Sequence, residues 1–206
     1  AHFVRKAATG RAHEIAPCIA CNQACLDHTF AGRLTSCLVN PRACKELQIA
    51  VPVNAAPNAG RNPTSKIAVV GAGPAGLSAA TELAALGHEV HLFEASGEIG
   101  GQFNMAKRIP GKEEFYETLR YFGKMIEKRG VVLHLNTRAE AGFLLKNGFS
   151  EVVLATGVAP RTPAIEGIDH PKVLSYIDVL LHGKPVGKTV AIIGAGGIGF
   201  DVAMFL

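Results

Sequence analysis

Apolar positions along this chain change their period several times, and each change marks an element. Phe3, Val4 and Ala7 fall on one helical face, and Gly10 follows as a stop, so the first residues read as the last turns of a helix. Residues 18–47 show no period. Residues 48–64 are rich in Pro, Asn, Ala and Gly and read as an extended linker. The pattern then sharpens. Lys66–Val70 is a short apolar run, the mark of a buried strand, and Pro74–Leu86 is helical and closed by Gly87. Glu89–Phe93 and Val131–Leu135 read as strands. Between them Phe115, Tyr116, Leu119, Phe122, Met125 and Ile126 make one stripe of a helix over Glu113–Lys128, read as core packing. A strand starts at Glu151 and runs toward Gly157, a short helix covers Ser175–Leu181, and Val190–Ile193 reads as a strand leading into a helix still apolar at Leu206. Strands alternating with helices predict an α/β fold with a parallel sheet. The expected units are 1–47, a linker at 48–64, 65–160 and 161–206. Because the first and last helical patterns look cut, the chain is expected to be an internal piece of a longer polypeptide.

Two glycine patterns carry chemistry. The first strand runs directly into Gly71-Ala72-Gly73-Pro74-Ala75-Gly76, with a helix after it and Glu94 at the tip of the following strand. Gly71 allows a tight turn, Gly73 lets backbone approach a pyrophosphate, and Gly76 lets helix and strand pack closely. The helix N-terminus then faces the phosphates with free N–H groups, and the acid about 20 residues on accepts hydrogen bonds from a ribose. A second such run, Gly194-Ala195-Gly196-Gly197-Ile198-Gly199, follows Val190–Ile193. Two fingerprints about 120 residues apart suggest one site for FAD and one for a nicotinamide. The chain ends before any acid or arginine that would choose between NADH and NADPH.

The cysteines are the third signal. Cys18, Cys21, Cys25 and Cys37 stand at C-x2-C-x3-C-x11-C, too crowded for a set of ordinary disulfides. Thiolates at this spacing can converge from an irregular loop onto one metal centre. An iron–sulfur cluster suits four cysteines so placed. Zinc is the rival, although structural zinc sites more often pair two separate C-x2-C knuckles. Cys44 reads as packing or as a neighbour of the ligands, with exchange for Cys37 left open. His28, inside the loop, reads as a solvated histidine rather than one that tunes a metal. No side chain stands out as an acid, base or nucleophile; the tyrosines and the remaining histidines read as packing or surface.

Bulk properties narrow the picture further. A formal net charge of +4 without a lysine or arginine block argues against nucleic acid as the main partner. No apolar run approaches the about 20 residues that span a bilayer, and the N-terminus lacks the apolar core of a signal peptide. Clustered cysteines without a secretory signal point to a reducing compartment and a cytoplasmic protein.

Gly100-Gly101, shortly after Glu94, resembles the pair that approaches the flavin side of FAD in flavoproteins with two dinucleotide domains, and E-V-V-L-A-T-G ending at Gly157 resembles the segment where their chain leaves the FAD domain. Taken with C-I-A-C-N-Q-A-C-L-D-H, S-C-L-V-N-P-R-A-C, V-V-G-A-G-P-A-G-L, E-I-G-G-Q-F-N-M-A-K-R-I-P-G-K-E-E-F-Y-E-T-L-R-Y, V-A-P-R-T-P, P-K-V-L-S-Y-I-D-V-L and I-I-G-A-G-G-I-G-F-D, the chain resembles the bacterial iron–sulfur flavoenzyme type of 2,4-dienoyl-CoA reductase, of the old yellow enzyme superfamily.

The resemblance implies an upstream TIM barrel with FMN, absent here, then a [4Fe-4S] loop in 1–47, an FAD-binding Rossmann-like domain in 65–160 and the start of an inserted NAD(P)-binding domain in 161–206. It implies cluster ligation by Cys18, Cys21, Cys25 and Cys37. It implies FAD contacts at Gly71, Gly73, Pro74, Ala75, Gly76, Glu94, Gly101, Gln102, Lys112, Thr156 and Gly157, with Ala139 meeting the adenine through its backbone. It implies part of an NADPH site at Gly194, Gly196, Gly197 and Gly199. The implied function is electron input: from NADPH through FAD and the cluster to FMN in the barrel, which reduces an unsaturated fatty acyl-CoA in β-oxidation. Substrate choice lies in the barrel, so an enoate reductase or an amine dehydrogenase shares the architecture, although amine dehydrogenases of the superfamily space the third cysteine more tightly. A non-enzyme alternative is a nucleotide-binding scaffold with a structural metal.

Overall fold

The structure, a computed structural model, describes residues 2–49 and 65–206. The linker expected at 48–64 lies almost wholly outside the described residues. The elements are α1 (Phe3–Ala8), a 3-10 turn (Ala12–Glu14), α2 (Leu26–Phe30), β1 (Lys66–Val70), α3 (Pro74–Ala85), β2 (Glu89–Phe93), α4 (Phe103–Ala106), α5 (Glu114–Arg129), β3 (Val132–His134), α6 (Ala141–Lys146), β4 (Glu151–Leu154), α7 (Tyr176–Leu180) and α8 (Gly197–Phe205).

The four strands form one parallel sheet in the order β3-β2-β1-β4. β1 is central, and its apolar residues explain why. Ile67, Ala68 and Val69 are buried between both faces, as are Val90, Leu92 and Phe93 of β2. Burial of each large apolar side chain of this kind stabilises by about 2 kcal/mol, which alternating polar residues could not supply. One face packs under α3 and α5, through Leu77, Ala80 and Ile126 with Leu119 and Phe122 against them. The stripe read from the sequence is thus the core face of α5, except that Tyr116 is half exposed and carries the Lys107 ammonium over its ring. The other face gathers Ala68, Phe93 and Leu144.

Strand order decides where a ligand can sit. The chain steps from β1 outward through β2 to β3, then returns to place β4 on the far side of β1. Loops leaving β1 and β4 therefore diverge, and a crevice opens beyond their C-terminal ends.

Two expectations change. Val190–Ile193 is not a strand: no neighbouring strand pairs with it among the described residues, and Ile193 is exposed. An apolar run becomes a strand only where ladder partners exist, so composition predicted more than pairing supplies. Leu26–Phe30, Phe103–Ala106 and Ala141–Lys146 form short helices that no periodic run announced.

The cysteine segment is fastened to α3 and α5 by charge. The buried Glu14 carboxylate pairs with Lys128 of α5, and Arg120 of α5 donates to the His13 carbonyl at 2.9 Å. Farther on, Arg42 pairs with Glu82 of α3, whose other oxygen takes Arg129 at 3.1 Å. Lys128 holds the Glu14 carboxyl below its ordinary range, chiefly by hydrogen bonding.

Candidate functional site: a dinucleotide cradle and a cysteine loop

The first glycine loop is built as its sequence requires. Gly71 has φ +103°, a left-handed turn in which a side chain would strike the Ala155 carbonyl at the exit of β4. A Cβ on Gly76 would overlap the carbonyl oxygen of Gly71, so α3 can start this close to β1 only with glycine there. Gly73, by contrast, faces open space, which leaves the approach to the N-terminus of α3 free. Pro74 occupies the first turn of α3, where its missing N–H loses no bond, and Ala75 follows it. Gly101 leans on this loop: a Cβ there would stand 3.0 Å from the Gly73 Cα, and Gly100 N–H donates to the Ala72 carbonyl at 2.8 Å.

Glu94, at the tip of β2, is held by three donors. The Ala72 amide donates to one carboxylate oxygen at 2.8 Å, and the Ser96 amide and hydroxyl donate to the other at 2.9 and 3.0 Å. The carboxylate is thereby fixed at the mouth of the glycine loop, with acceptor capacity left for a ribose hydroxyl. Beside it lies a cavity of about 300 Å³, walled by Gly71, Glu94 and Ala95, by Thr137, Arg138 and Ala139 after β3, and by Thr156 after β4.

These features fit the adenosine end of a dinucleotide: a cradle that any Cβ would fill, an open phosphate approach, and an anchored acid. Ala139 and Thr156 fall in the cavity wall; Gly157 follows with φ +76°. Gln102 precedes α4 and is exposed. The Lys112 ammonium meets both oxygens of Asp201 of α8 at 2.7 Å. Arg138, Thr137 and Ala95 were missed by the sequence reading. Their signal was positional, since each follows the C-terminal end of a strand.

The second glycine loop repeats the first. Gly194 has φ +115°, and a Cβ on Gly199 would overlap the Gly194 carbonyl oxygen, while Gly196 and Gly197 face open space. α8 docks through Val202 onto Ile109 and Leu180. The helix α7 before it starts with a capping box, in which Ser175 and Asp178 exchange hydrogen bonds.

All five cysteines are free. Backbone bonds fold their loop together. Ser36 N–H donates to the Ala24 carbonyl at 2.7 Å, setting Cys37 near Cys25, and the Ser36 hydroxyl donates to the Ala43 carbonyl at 3.2 Å, drawing in Cys44. Ala20 and Asn22 take left-handed φ on either side of Cys21, and the Ala20 amide points at the Cys18 sulfur at 3.3 Å. Free thiols on a curled loop with an amide aimed at sulfur suit cluster ligation as a donor set. Among the described residues no three His, Cys, Asp or Glu side chains converge where a single ion would sit. His28 is partly exposed, and its Nδ1 lies 3.0 Å from the Leu34 carbonyl, which closes the turn after α2.

Parallel sheet, crevice and twin glycine loops define a Rossmann-like dinucleotide-binding protein. The chain belongs to the pyridine nucleotide-disulphide oxidoreductase family, whose sequence pattern matches residues 65–206, and membership implies binding of FAD and NAD(P)H. It is 36% identical over 205 residues, 98% of its length, to a metal reductase of Desulforamulus reducens, and 33% identical over 94% of its length to a cinnamate reductase of Clostridium sporogenes. The structure of a 2-naphthoyl-CoA reductase superposes on 99% of the chain with a TM-score of 0.91 at 35% identity. The chain spans 30%, 28% and 30% of those three proteins respectively. All three of these relatives are reductases. No helix among the described residues is long and apolar enough to cross a membrane.

Proposed function

We propose that this chain is the electron-input part of a flavin-dependent reductase acting on a conjugated carbonyl compound. An enoate reductase or aryl-CoA reductase is favoured over a 2,4-dienoyl-CoA reductase of β-oxidation, because the relatives named above include a cinnamate and a 2-naphthoyl-CoA reductase. The carrying observation is the pair of glycine loops of one construction, each turning at a left-handed glycine against which the following helix can close only through a second glycine. One such loop binds one dinucleotide, so two imply a donor and an acceptor.

In this reading Gly71, Gly73 and Gly76 admit the pyrophosphate of FAD, Glu94 orients its ribose, and Gly194, Gly196, Gly197 and Gly199 take NADPH. Cys18, Cys21, Cys25 and Cys37 hold a [4Fe-4S] cluster, and substrate and FMN bind to a barrel in the rest of the polypeptide. When bound, the cofactors supply hydride acceptance and single-electron transfer; the protein supplies binding and orientation. Iron, zinc and acid-labile sulfide are measured on the anaerobically purified protein together with its visible spectrum. Iron and sulfide in near equal amounts with a flavin spectrum are expected. Zinc without sulfide would remove the electron path and leave a nucleotide-binding scaffold.

A further inference from the structure

Arg138 is the one residue of the cavity wall that carries a cation, and nothing in a fingerprint assigns it. Its place is set by backbone. Asn136 turns the chain out of β3 in a left-handed conformation, φ +51°, and its amide donates to the Ser96 carbonyl at 2.8 Å. The Thr137 amide donates to the Glu94 carbonyl at 2.8 Å, and the Thr137 hydroxyl donates to the Leu135 carbonyl at 2.9 Å. Position 138 is therefore fixed to the loop that carries the ribose acid. Among the described residues no carboxylate pairs with the Arg138 guanidinium, as with Arg5, Arg33, Arg108 and Arg161, whereas Arg11, Arg42, Arg120 and Arg129 have such a pair. A long cationic side chain is thus free at the rim of a cavity.

We infer that Arg138 is a specificity-determining residue that lays its guanidinium plane over the purine of the bound adenine nucleotide. The inference rests on the reading of this cavity as the adenosine end of the FAD site. Glu94 stands at the glycine-loop end of the cavity, where the ribose must lie for the pyrophosphate to reach Gly73. The base then extends toward Ala139, and Arg138 lies beside it. A guanidinium is planar and weakly hydrated, and it stacks on aromatic faces far better than an ammonium does. The same side chain would not serve a 2′-phosphate here, because Glu94 presents its own negative charge at the ribose.

The test is binding of ADP to the flavin-depleted full-length protein by titration calorimetry, with FAD occupancy after dialysis of the untreated protein as a second reading. Arg138→Ala and Arg138→Lys are each expected to weaken ADP binding by about 10-fold, and Arg138→Phe to stay within about 3-fold of the unmodified protein, because a flat face and not a charge is what the purine needs. If Arg138→Lys binds ADP normally while Arg138→Phe behaves like alanine, the side chain acts as a charge on the phosphates and the inference is overturned. Equal ADP binding by all variants overturns it as well. If the unmodified protein binds no ADP and Glu94→Ala changes nothing, the reading of the cavity itself fails; a Glu94 effect without an Arg138 effect removes only the role of Arg138.

Discussion

At the scale of single residues, the most demanding positions are glycines whose absent side chain is the function. Gly76 is the sharpest, because the group it would strike is the Gly71 carbonyl, a backbone atom in the turn between β1 and α3. Gly76→Ala is expected to destabilise the protein by about 3 kcal/mol, the upper end of usual overpacking, and to abolish flavin retention; urea unfolding and the visible spectrum would read both. Gly73→Ala should fold normally, since its Cβ meets nothing in the protein. Glu94 makes the complementary case. Its three donors come from its own surroundings, so Glu94→Ala leaves the Ala72 amide without a partner and, in the proposed function, the ribose without an acceptor. About 10-fold weaker FAD retention is the expected result, and unchanged occupancy after dialysis would sink the ribose role.

At the scale of elements, the outer edge of the sheet carries a pH dependence. His91 of β2 and His134 of β3 stack with ring centroids 5.2 Å apart, and their nitrogens approach to 2.9 Å, so one ring must donate and the other accept. Glu89 sits 3.0 Å from the other nitrogen of His91. Burial first, and the His91 charge second, lower the pKa of His134 below 6.5. The folded ring thus resists a proton that the unfolded chain accepts. Stability attributable to His134 is full well above pH 6.5 and falls as the pH drops from that value through the lower folded pKa. Thermal unfolding between pH 7.5 and 5.5 should show this decline, and His134→Phe, which keeps the stack against Phe93, should flatten it.

At the scale of the whole molecule, the cysteine segment is joined to the nucleotide unit, among the described residues, by two ionic ties and the Arg120 bond to the His13 carbonyl, with no shared apolar cluster. Glu14–Lys128 lies before the cysteine loop and Arg42–Glu82–Arg129 near its end, so the loop is pinned at both sides. Lys128 is nearly half exposed, and the Glu14 tie is therefore expected to contribute on the order of 1 kcal/mol rather than the several that a fully buried pair loses when broken. Glu14→Gln combined with Glu82→Gln should let limited proteolysis remove the cysteine segment while 65–206 stays folded, as gel and circular dichroism would show. Loss of both parts together would mean that the ties hold up the sheet as well.

Sequence alone determined the local chemistry of this protein. Buried strands, the stripe of α5, both glycine loops, the acid at the tip of β2 and the four-cysteine spacing are all short-range patterns, and short-range patterns are legible because each needs only its own residues to be recognised. Tertiary structure decided what pairing and approach decide. It denied Val190–Ile193 a place in the sheet because no strand pairs with it among the described residues. It turned Lys112 toward Asp201, 89 residues away, and set Arg138 at the rim of the cavity beside the acid of another strand. Such placements depend on which strand ends meet at the crevice, a property of the sheet order that no single stretch of sequence contains.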